Sequence, residues 1–155
     1  MYGLAGLLGV GLLMTGCAST SQSTDIPDQT RQIQDPAKAR IYLMRGTKFW
    51  GNGDAIQLAL VDKHAEARQV GYTPDLLGEL GPGHYLCVEN LPGIVVITTV
   101  QANPDTDVTL KLVAGHVYYV RLSVGAGFDG PTAVLKTVSE EEGRSLLKHC
   151  KPPKH

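Results

Sequence analysis

Apolar side chains alternate with a period of two residues in short segments between residues 39 and 138, and this pattern constrains the fold more than any other feature of the chain. In the segment 108–113, Val, Leu and Leu alternate with Thr, Lys and Val, and the segment 116–124 (HVYYVRLSV) is rich in β-branched and aromatic residues. Such segments are typical of β-strands that bury one face. We predict strands at 39–45, 56–62, 68–72, 84–89, 94–101, 107–113, 117–124 and 132–138.

Turns rich in Gly, Pro and Asn separate these segments, and no helical period lies between them. The stretch 72–83 is predicted to be a loop, in which Leu76, Leu77 and Leu80 are candidates for surface exposure. Short strands at this spacing favour an antiparallel sandwich or a partly open barrel over an α/β fold. The predicted fold class is therefore all-β, a small antiparallel β-sandwich over residues 37–150.

One short C-terminal helix is predicted after the last strand. Ser139 and Glu142 fit a capping box, in which the Ser hydroxyl accepts from the Glu amide. Acidic residues fill the first turn, which favours the helix dipole. Leu146 and Leu147 would face the sheets, and residues 151–155 would form a frayed tail.

The first seventeen residues, MYGLAGLLGVGLLMTGC, contain no charged side chain. The apolar stretch 4–14, about eleven residues, has the length of a signal-peptide core and is shorter than the ~20 helical residues that span a bilayer. It ends in LMTGC, which resembles the lipobox of bacterial lipoproteins, with Cys17 as the thiol that accepts a diacylglycerol. Residues 1–16 are thus predicted to be a lipoprotein signal peptide. The alternative is a buried helix of a cytoplasmic protein, in which Cys17 is a small hydrophobic residue.

If this resemblance holds, the mature chain begins at Cys17 with acyl chains that hold it on a membrane. Ala18, rather than Asp, follows Cys17, which resembles the outer-membrane signal of enterobacterial lipoproteins. Residues 17–36 are mostly Ser, Thr, Gln, Asp and Pro, and they have too few apolar side chains to offset the entropy of ordering. We predict a lipidated flexible tether of ~19 residues that spans about 25 Å.

Charge and motif content argue against several functional classes. The balance of 14 Lys and Arg against 15 Asp and Glu argues against a nucleic-acid binder, which needs a basic surface. The segment 125–130 (GAGFDG) matches a dinucleotide-binding motif, but a strand pattern rather than a helix follows, so a glycine-rich hairpin is predicted. The sequence has no nucleophile elbow and no His or Cys pattern with zinc-ligand spacing. We therefore predict a chain that is not an enzyme and has no cofactor and no metal.

Two cysteines remain once Cys17 is assigned to lipid. Cys87 and Cys150 would face an oxidising periplasm, which favours a disulfide between them. The bridge would tie the C-terminal helix to a strand and close a loop of roughly 60 residues, worth ~4 kcal/mol in the chain-entropy model. The alternative is two unpaired buried thiols, and the distance between them decides.

The segment 45–54 (RGTKFWGNGD) contains the only Trp of the chain. Aromatic residues beside cations on a loop are a common signature of a protein interface. Lys48, Phe49 and Trp50 are therefore the predicted contact residues for an unidentified envelope protein. In the alternative interpretation, Phe49 and Trp50 close one end of the sandwich.

Three segments, in order, resemble a known bacterial family. They are ARIYLMR (39–45), YLCVENLPG (85–93) and LKLVAGHVYYVR (110–121), and they are similar to the lipoproteins grouped as domain of unknown function 2846. The resemblance covers roughly residues 38–147. One departure is that the P-G-x-H turn of the family reads P-G-I-V here. The resemblance implies a PEGA-like β-domain of an envelope lipoprotein and no activity, since the family has no established catalytic residues.

These features together predict a lipid-anchored protein of the bacterial outer membrane that faces the periplasm and acts as a non-catalytic binding or structural module. The alternative is a small-ligand-binding protein or a hydrolase-like enzyme with a site assembled from distant loops. His64, His84 and Asp107 are the candidate residues for such a site.

Overall fold

The structure is a computed structural model of the chain, and it describes residues 33, 35–47, 54–100, 107–127 and 130–152. These residues form eight strands and two helices. One helix follows the second strand and the other follows the eighth strand. The elements are β1 (Ala39–Arg45), β2 (Ile56–Asp62), α1 (Lys63–Arg68), β3 (Asp75–Leu80), β4 (Tyr85–Asn90), β5 (Gly93–Thr99), β6 (Val108–Leu112), β7 (Val117–Gly127), β8 (Gly130–Thr137) and α2 (Glu140–Leu147).

The strands form two four-stranded sheets. Sheet A has the order β4-β1-β7-β8, and sheet B has the order β3-β2-β5-β6. The predicted all-β fold, a small sandwich with a short C-terminal helix, is confirmed. Among the described strands the neighbours are antiparallel, except that β1 and β7 run parallel in the middle of sheet A.

The end of the sandwich at which β1 begins is called the proximal end. The turns from β4 to β5 and from β6 to β7 cross between the sheets there. The amide of Gly115 in the second turn donates to the carbonyl of Lys38, and the amide of Arg40 donates to the carbonyl of His116, both at 2.9 Å. The chain therefore passes from Lys38 into the centre of sheet A at this end.

The opposite end, at which β1 finishes, is called the distal end. The turn from β3 to β4 lies there, because the amide of Arg45 donates to the carbonyl of His84 at 3.0 Å. The paired strands β7 and β8 extend past this point to Gly127, which pairs with Gly130. The glycine-rich hairpin predicted at 125–130 is thus confirmed, while its tip at 128–129 lies outside the described residues.

The facing sides of the two sheets enclose the inner core. Leu43 of β1 is fully buried in it, as the two-residue alternation predicts for one face of a strand. Its buried members are Ala39, Ile41, Leu43, Leu58, Leu60, Leu80, Leu86, Val95, Ile97, Leu110, Leu112, Val120, Leu122 and Leu135.

A second set of buried residues, the outer cluster, lies on the other side of sheet A. It consists of Tyr42, Met44, Tyr85, Tyr119 and Leu147. The last of these belongs to α2, so the helix covers the sheet face that the strand pattern alone would leave in solvent. As a result β1 is buried along its whole length.

The helix α2 begins at the predicted cap and ends at Leu147. The hydroxyl of Ser139 accepts a hydrogen bond from the Glu142 amide at 3.2 Å, which confirms the N-terminal cap. Leu147 is buried against the sheet and Leu146 is partly buried. Gly143 is also buried, and a Cβ atom there would lie 2.6 Å from Cβ of Tyr119, so the absence of a side chain allows the helix to approach.

The region between β2 and β4 differs from the prediction. The strand predicted at 68–72 is wrong, because the carboxylate of Asp62 accepts from the amides of His64 and Ala65 and thereby starts the helix α1. The loop predicted at 72–83 instead contains β3, whose pairing with β2 shifts register beside Gly78, at φ 122°. The three leucines that were candidates for exposure in this stretch differ in burial: Leu76 is exposed, Leu77 is half-buried and Leu80 is buried.

The C-terminal segment is also more ordered than predicted. Lys151, expected in a frayed tail, forms a parallel bridge with His84. Its amide donates to the carbonyl of Gly83 at 2.8 Å, and its carbonyl accepts from the amide of Tyr85 at 3.0 Å. Residues 153–155 of this tail lie outside the described residues.

Candidate functional site

The residues for which the sequence predicts a specific role lie mostly outside the described part of the structure. Cys17, the predicted lipid-attachment residue, and Lys48, Phe49 and Trp50, the predicted contact residues, lie outside the described residues, as do residues 1–16 and most of 17–36. The structure does describe both flanks of the segment 48–53.

Arg45, the last residue of β1, joins the two flanks of this segment. Its side chain is buried, with 6% exposure, and its Nη1 atom donates to the carbonyl of Asp54 at 2.6 Å and to that of Leu80 at 3.2 Å. Burial lowers the pKa of Arg45, and the nearby Asp54 opposes that change. The guanidinium thus fixes the distance between residues 45 and 54 and attaches both to the end of β3.

The turn from β3 to β4 also packs against the first flank. The amide of Gly83 donates to the carbonyl of Arg45 at 2.9 Å. Gly83 has φ 71°, a left-handed conformation that suits glycine, and a Cβ atom there would lie 2.7 Å from Cγ2 of Thr47. The residues that lead into the segment 48–53 are therefore held by sheet pairing, a buried cation and close packing.

The predicted disulfide is not formed: Cys87 and Cys150 are both free thiols. Cys87 lies opposite Tyr42 in the β1–β4 ladder, whereas the thiol of Cys150 donates to the carbonyl of Arg45 at 3.7 Å, three residues further along β1. At about 3.3 Å per strand residue, this offset places the two partners of the thiols roughly 10 Å apart. The structure therefore agrees with the alternative of two unpaired, partly buried thiols.

The thiols and the neighbouring phenol are held in their neutral forms. Burial raises the pKa of Cys87 to about 11, an effect that the charge of Arg40 only partly opposes. Burial likewise raises the pKa of Cys150 and raises that of Tyr42 to about 12. Since the thiolate is the nucleophilic form of cysteine, this cluster is poorly suited to nucleophilic chemistry at neutral pH.

A buried ion pair that the sequence did not reveal lies beside this cluster. Arg40 is 1% exposed, and its Nε and Nη2 atoms donate to Oε1 of Glu89 at 3.1 and 2.7 Å. The two residues face each other in the β1–β4 ladder. Breaking one member of such a pair is strongly destabilising, because it leaves a buried charge without compensation. The pair therefore ties the edge strand β4 to the centre of sheet A.

The structure does not bring together the residues proposed for the alternative function. His64 is exposed in α1, which follows β2 at the proximal end, whereas His84 lies in the turn from β3 to β4 at the distal end. Asp107 precedes β6, whose first residue pairs with Ile97 toward the distal end of β5. Within the described ranges, no group of three or more His, Cys, Asp or Glu residues is placed to hold a metal ion.

The described residues also contain no helix that is both long enough and apolar enough to cross a bilayer. The apolar stretch 4–14 lies outside the described residues.

Comparison with known proteins shows similarity to a protein without an assigned activity. No family model matches the chain, and no solved structure matches it. The chain is similar to an uncharacterized protein of Haemophilus influenzae (strain ATCC 51907 / DSM 11121 / KW20 / Rd), with 25% identity over 150 residues that cover 95% of this chain and 82% of that protein. The similarity therefore extends over nearly the whole of this chain, and it assigns no function to it.

Proposed function

We propose that this chain is a lipoprotein anchored through Cys17 in the bacterial outer membrane, with its β-sandwich facing the periplasm as a non-catalytic binding or structural module. The observation that supports a binding role most directly is the position of Arg45. Its buried guanidinium holds both flanks of the segment that carries Lys48, Phe49 and Trp50. A loop with a fixed base presents its aromatic residues at a lower entropic cost of binding than a loop without one.

The proposed anchor is supported by the spacing between Cys17 and the folded region. The motif LMTGC ends at residue 17, and the first strand begins at Ala39. The attachment point therefore lies outside the sandwich in the sequence, so lipidation there would not require any residue of β1 to β8 to leave the fold. Two or more acyl chains on one residue are sufficient for stable membrane attachment.

We also infer a relationship to the lipoproteins grouped as domain of unknown function 2846. The three segments that resemble that family lie on β1, on β4 with its turn into β5, and on a stretch that runs from β6 through the next turn into the first half of β7. These are neighbouring elements, since β1 pairs with both β4 and β7. Segments that are far apart in sequence but adjacent in the fold support the resemblance better than isolated matches would.

The binding role is tested by crosslinking the tagged full-length protein in intact cells and identifying the attached proteins by mass spectrometry. The informative variant is the double substitution Phe49→Ala/Trp50→Ala. The matched control is Leu76→Ala, which truncates an exposed apolar side chain (65% exposed) on the edge strand β3. We expect one envelope protein to be recovered with the wild type and the control, and its yield to fall at least about ten-fold in the double variant, as for loss of interface aromatic anchors.

The anchor is tested in the same cells with Cys17→Ser, by incorporation of labelled palmitate and by membrane fractionation. We expect the wild type to carry the label and to sediment with the outer membrane, and Cys17→Ser to lose both properties. Wild-type protein found soluble and unlabelled would refute the anchor. A labelled protein without any crosslinked partner would refute the binding role while leaving the anchor intact.

A further inference from the structure

We propose that the proximal end of the sandwich rests on the surface of the membrane in which the protein is anchored. This inference depends on the proposed lipid attachment at Cys17 and adds an orientation to it. The contact surface consists of Leu91, Ile94, Val113 and Val117, which are called the proximal patch. Its proposed occupant is the headgroup and acyl boundary of the bilayer.

The proximal patch contains a large part of the exposed apolar surface of the described residues. Leu91 is 58% exposed, Ile94 is 50%, Val113 is 46% and Val117 is 39%. Among the described residues, the other large apolar side chains with high exposure are Val70 after α1, Leu76 on β3 and Val100 after β5. Apolar residues gathered at one end mark a contact surface more reliably than single exposed ones do.

The pairing of the strands places the members of the patch at the same end. Leu91 lies in the turn from β4 to β5, and Gly93, at the start of β5, pairs with Leu112, the residue before Val113. Ile94 pairs with Lys111 in the same ladder. Val117 begins β7 and pairs with Arg40 near the start of β1, on the outer face of sheet A, whereas Ile94 lies next to the buried Val95 and on the outer face of sheet B. The patch therefore surrounds the proximal end and includes both outer faces of the sandwich there.

The turn that carries Val113 is held in place rather than hinged. The hydroxyl of Tyr118 donates to the carbonyl of Lys111 at 2.8 Å and accepts from the amide of Val113 at 3.0 Å. The amide of Gly115 donates to the carbonyl of Lys38 at 2.9 Å. The exposed Val113 side chain is therefore presented from a fixed backbone, close to the point at which the chain enters β1.

Charges of both signs lie at this end of the sandwich, and most of the carboxylates there have partners. Glu89, at the end of β4, pairs with Arg40 at 2.7 Å, Asp35, before β1, pairs with Lys38 at 3.8 Å, and Glu66 of α1 pairs with Lys63 at 2.7 Å. Asp62 caps α1, and Asp75 at the start of β3 is exposed. Lys111, the ladder partner of Ile94, is exposed and adds a cation beside the apolar residues. Apolar side chains with lysine at their edge are the usual composition of a surface that lies in a membrane interface.

The anchor brings a bilayer within reach of this end, and the apolar and cationic composition of the patch favours the bilayer as its occupant. The chain from Cys17 reaches the described fold at Asp35 and enters sheet A at the proximal end. About 18 residues separate these points, so their distance cannot exceed roughly 65 Å even in a fully extended chain. A lipid at Cys17 therefore keeps the membrane within reach of the proximal patch at every moment.

The test places a photo-crosslinking amino acid at Val113 in the full-length lipoprotein, reconstituted in vesicles of phosphatidylethanolamine and phosphatidylglycerol that contain a tagged phospholipid. The matched control has the same amino acid at Val100, a valine of similar exposure (49%) at the distal end, where its amide donates to the carbonyl of Gln57. We expect lipid adducts at position 113 to exceed those at position 100 by at least about five-fold. Replacing Lys111 with Glu should lower the adduct yield at 113 in these anionic vesicles.

Equal lipid adducts at positions 113 and 100 in vesicle-bound protein would overturn the orientation while leaving the anchor standing. Adducts at 113 to a second protein copy instead of lipid would also overturn it. Palmitate labelling of each sample separates these results from failure of the proposed function, because a chain without lipid does not remain on the vesicles. Far-UV circular dichroism of both variants checks that the substituted chains are folded.

Discussion

The inner core and the outer cluster are both buried, but they are constructed in different ways. The inner core is aliphatic and lies between two sheets, each of which contributes several strands. The outer cluster is mainly aromatic: the rings of Tyr42 and Tyr119 stack with centroids 5.6 Å apart, and Tyr85 meets Tyr42 edge-on at 6.1 Å. A single helix of 8 residues covers it.

The difference shows which part of the fold is autonomous. A helix as short as α2 is unstable by itself in water, so it depends on the tyrosines that it covers. The tyrosines depend on the helix in turn, because without it they would lie on an open sheet face. The inner core should therefore set the global stability of the chain, and the outer cluster should loosen first.

The largest difference should come from truncating one leucine in each region. Leu43 and Leu147 are 0% and 1% exposed, so the substitutions Leu43→Ala and Leu147→Ala remove the same buried atoms. We expect Leu43→Ala to lower the free energy of unfolding by about 4 kcal/mol and Leu147→Ala by about 2 kcal/mol. The sheets cannot close the cavity in the inner core, whereas α2 can shift to fill the one beneath it.

Urea unfolding of the full-length protein, followed by circular dichroism, measures both values. Equal losses would contradict the distinction between the two regions, because they would mean that α2 is as firmly held as the strands.

Alkaline pH should weaken the outer cluster specifically. The pKa of Cys87 is raised from 9.0 to about 11 in the folded chain, so between these values the unfolded state binds fewer protons than the folded state. Stability is therefore fully present below about pH 9 and is lost as the pH rises, by roughly 3 kcal/mol in total. Tyr42, with a pKa of about 12, extends the loss to higher pH.

Unfolding free energies measured from pH 8 to pH 11 check this expectation. Cys87→Ala should flatten the pH dependence, whereas Leu43→Ala should lower the whole curve and leave its slope unchanged. The same slope in wild type and Cys87→Ala would show that the thiol does not contribute.

The smallest expected change in stability has the opposite sign to the one that helix propensity predicts. Gly143→Ala would normally stabilise a helix by ~1 kcal/mol, but the new Cβ would collide with the side chain of Tyr119. We expect a net loss of about 1 kcal/mol in the free energy of unfolding. Ser145→Ala, at an exposed position of the same helix, is the matched control and should be neutral or slightly stabilising.

A double-mutant cycle with Tyr119→Gly sharpens this result, because the clash involves the Cβ of Tyr119 as well as its ring. Removing the whole side chain should convert Gly143→Ala from destabilising to neutral or stabilising. If the loss persists without the Tyr119 side chain, the contact between α2 and sheet A is not its cause.

Local patterns were sufficient to predict the positions of the described strands except β3. The bounds of β1 and β2 agree with the prediction because a two-residue alternation fixes which face is buried. The N-terminal cap at Ser139 was also predictable, since it depends only on residues three apart, whereas the carboxylate of Glu142 accepts from Arg121. The helix α1 was missed because its cap is a single aspartate, Asp62, within a segment that otherwise continues a strand pattern.

The features that escaped prediction depend on register or on packing between distant elements. The Arg40–Glu89 pair requires knowing which residues of β1 and β4 face each other. The second buried face of β1 requires knowing where α2 docks. The separation of the two thiols follows from both, and no spacing along the chain encodes it.

The path of β1 has a mechanical consequence. This strand begins next to the residues that lead back to Cys17 and ends at Arg45, which holds the base of the segment with Phe49 and Trp50. If the membrane pulls on one of these ends and a partner on the other, the load passes along a single backbone of about 23 Å. Covalent bonds would then carry that tension directly, and neither sheet would need to shear for the module to remain intact under force.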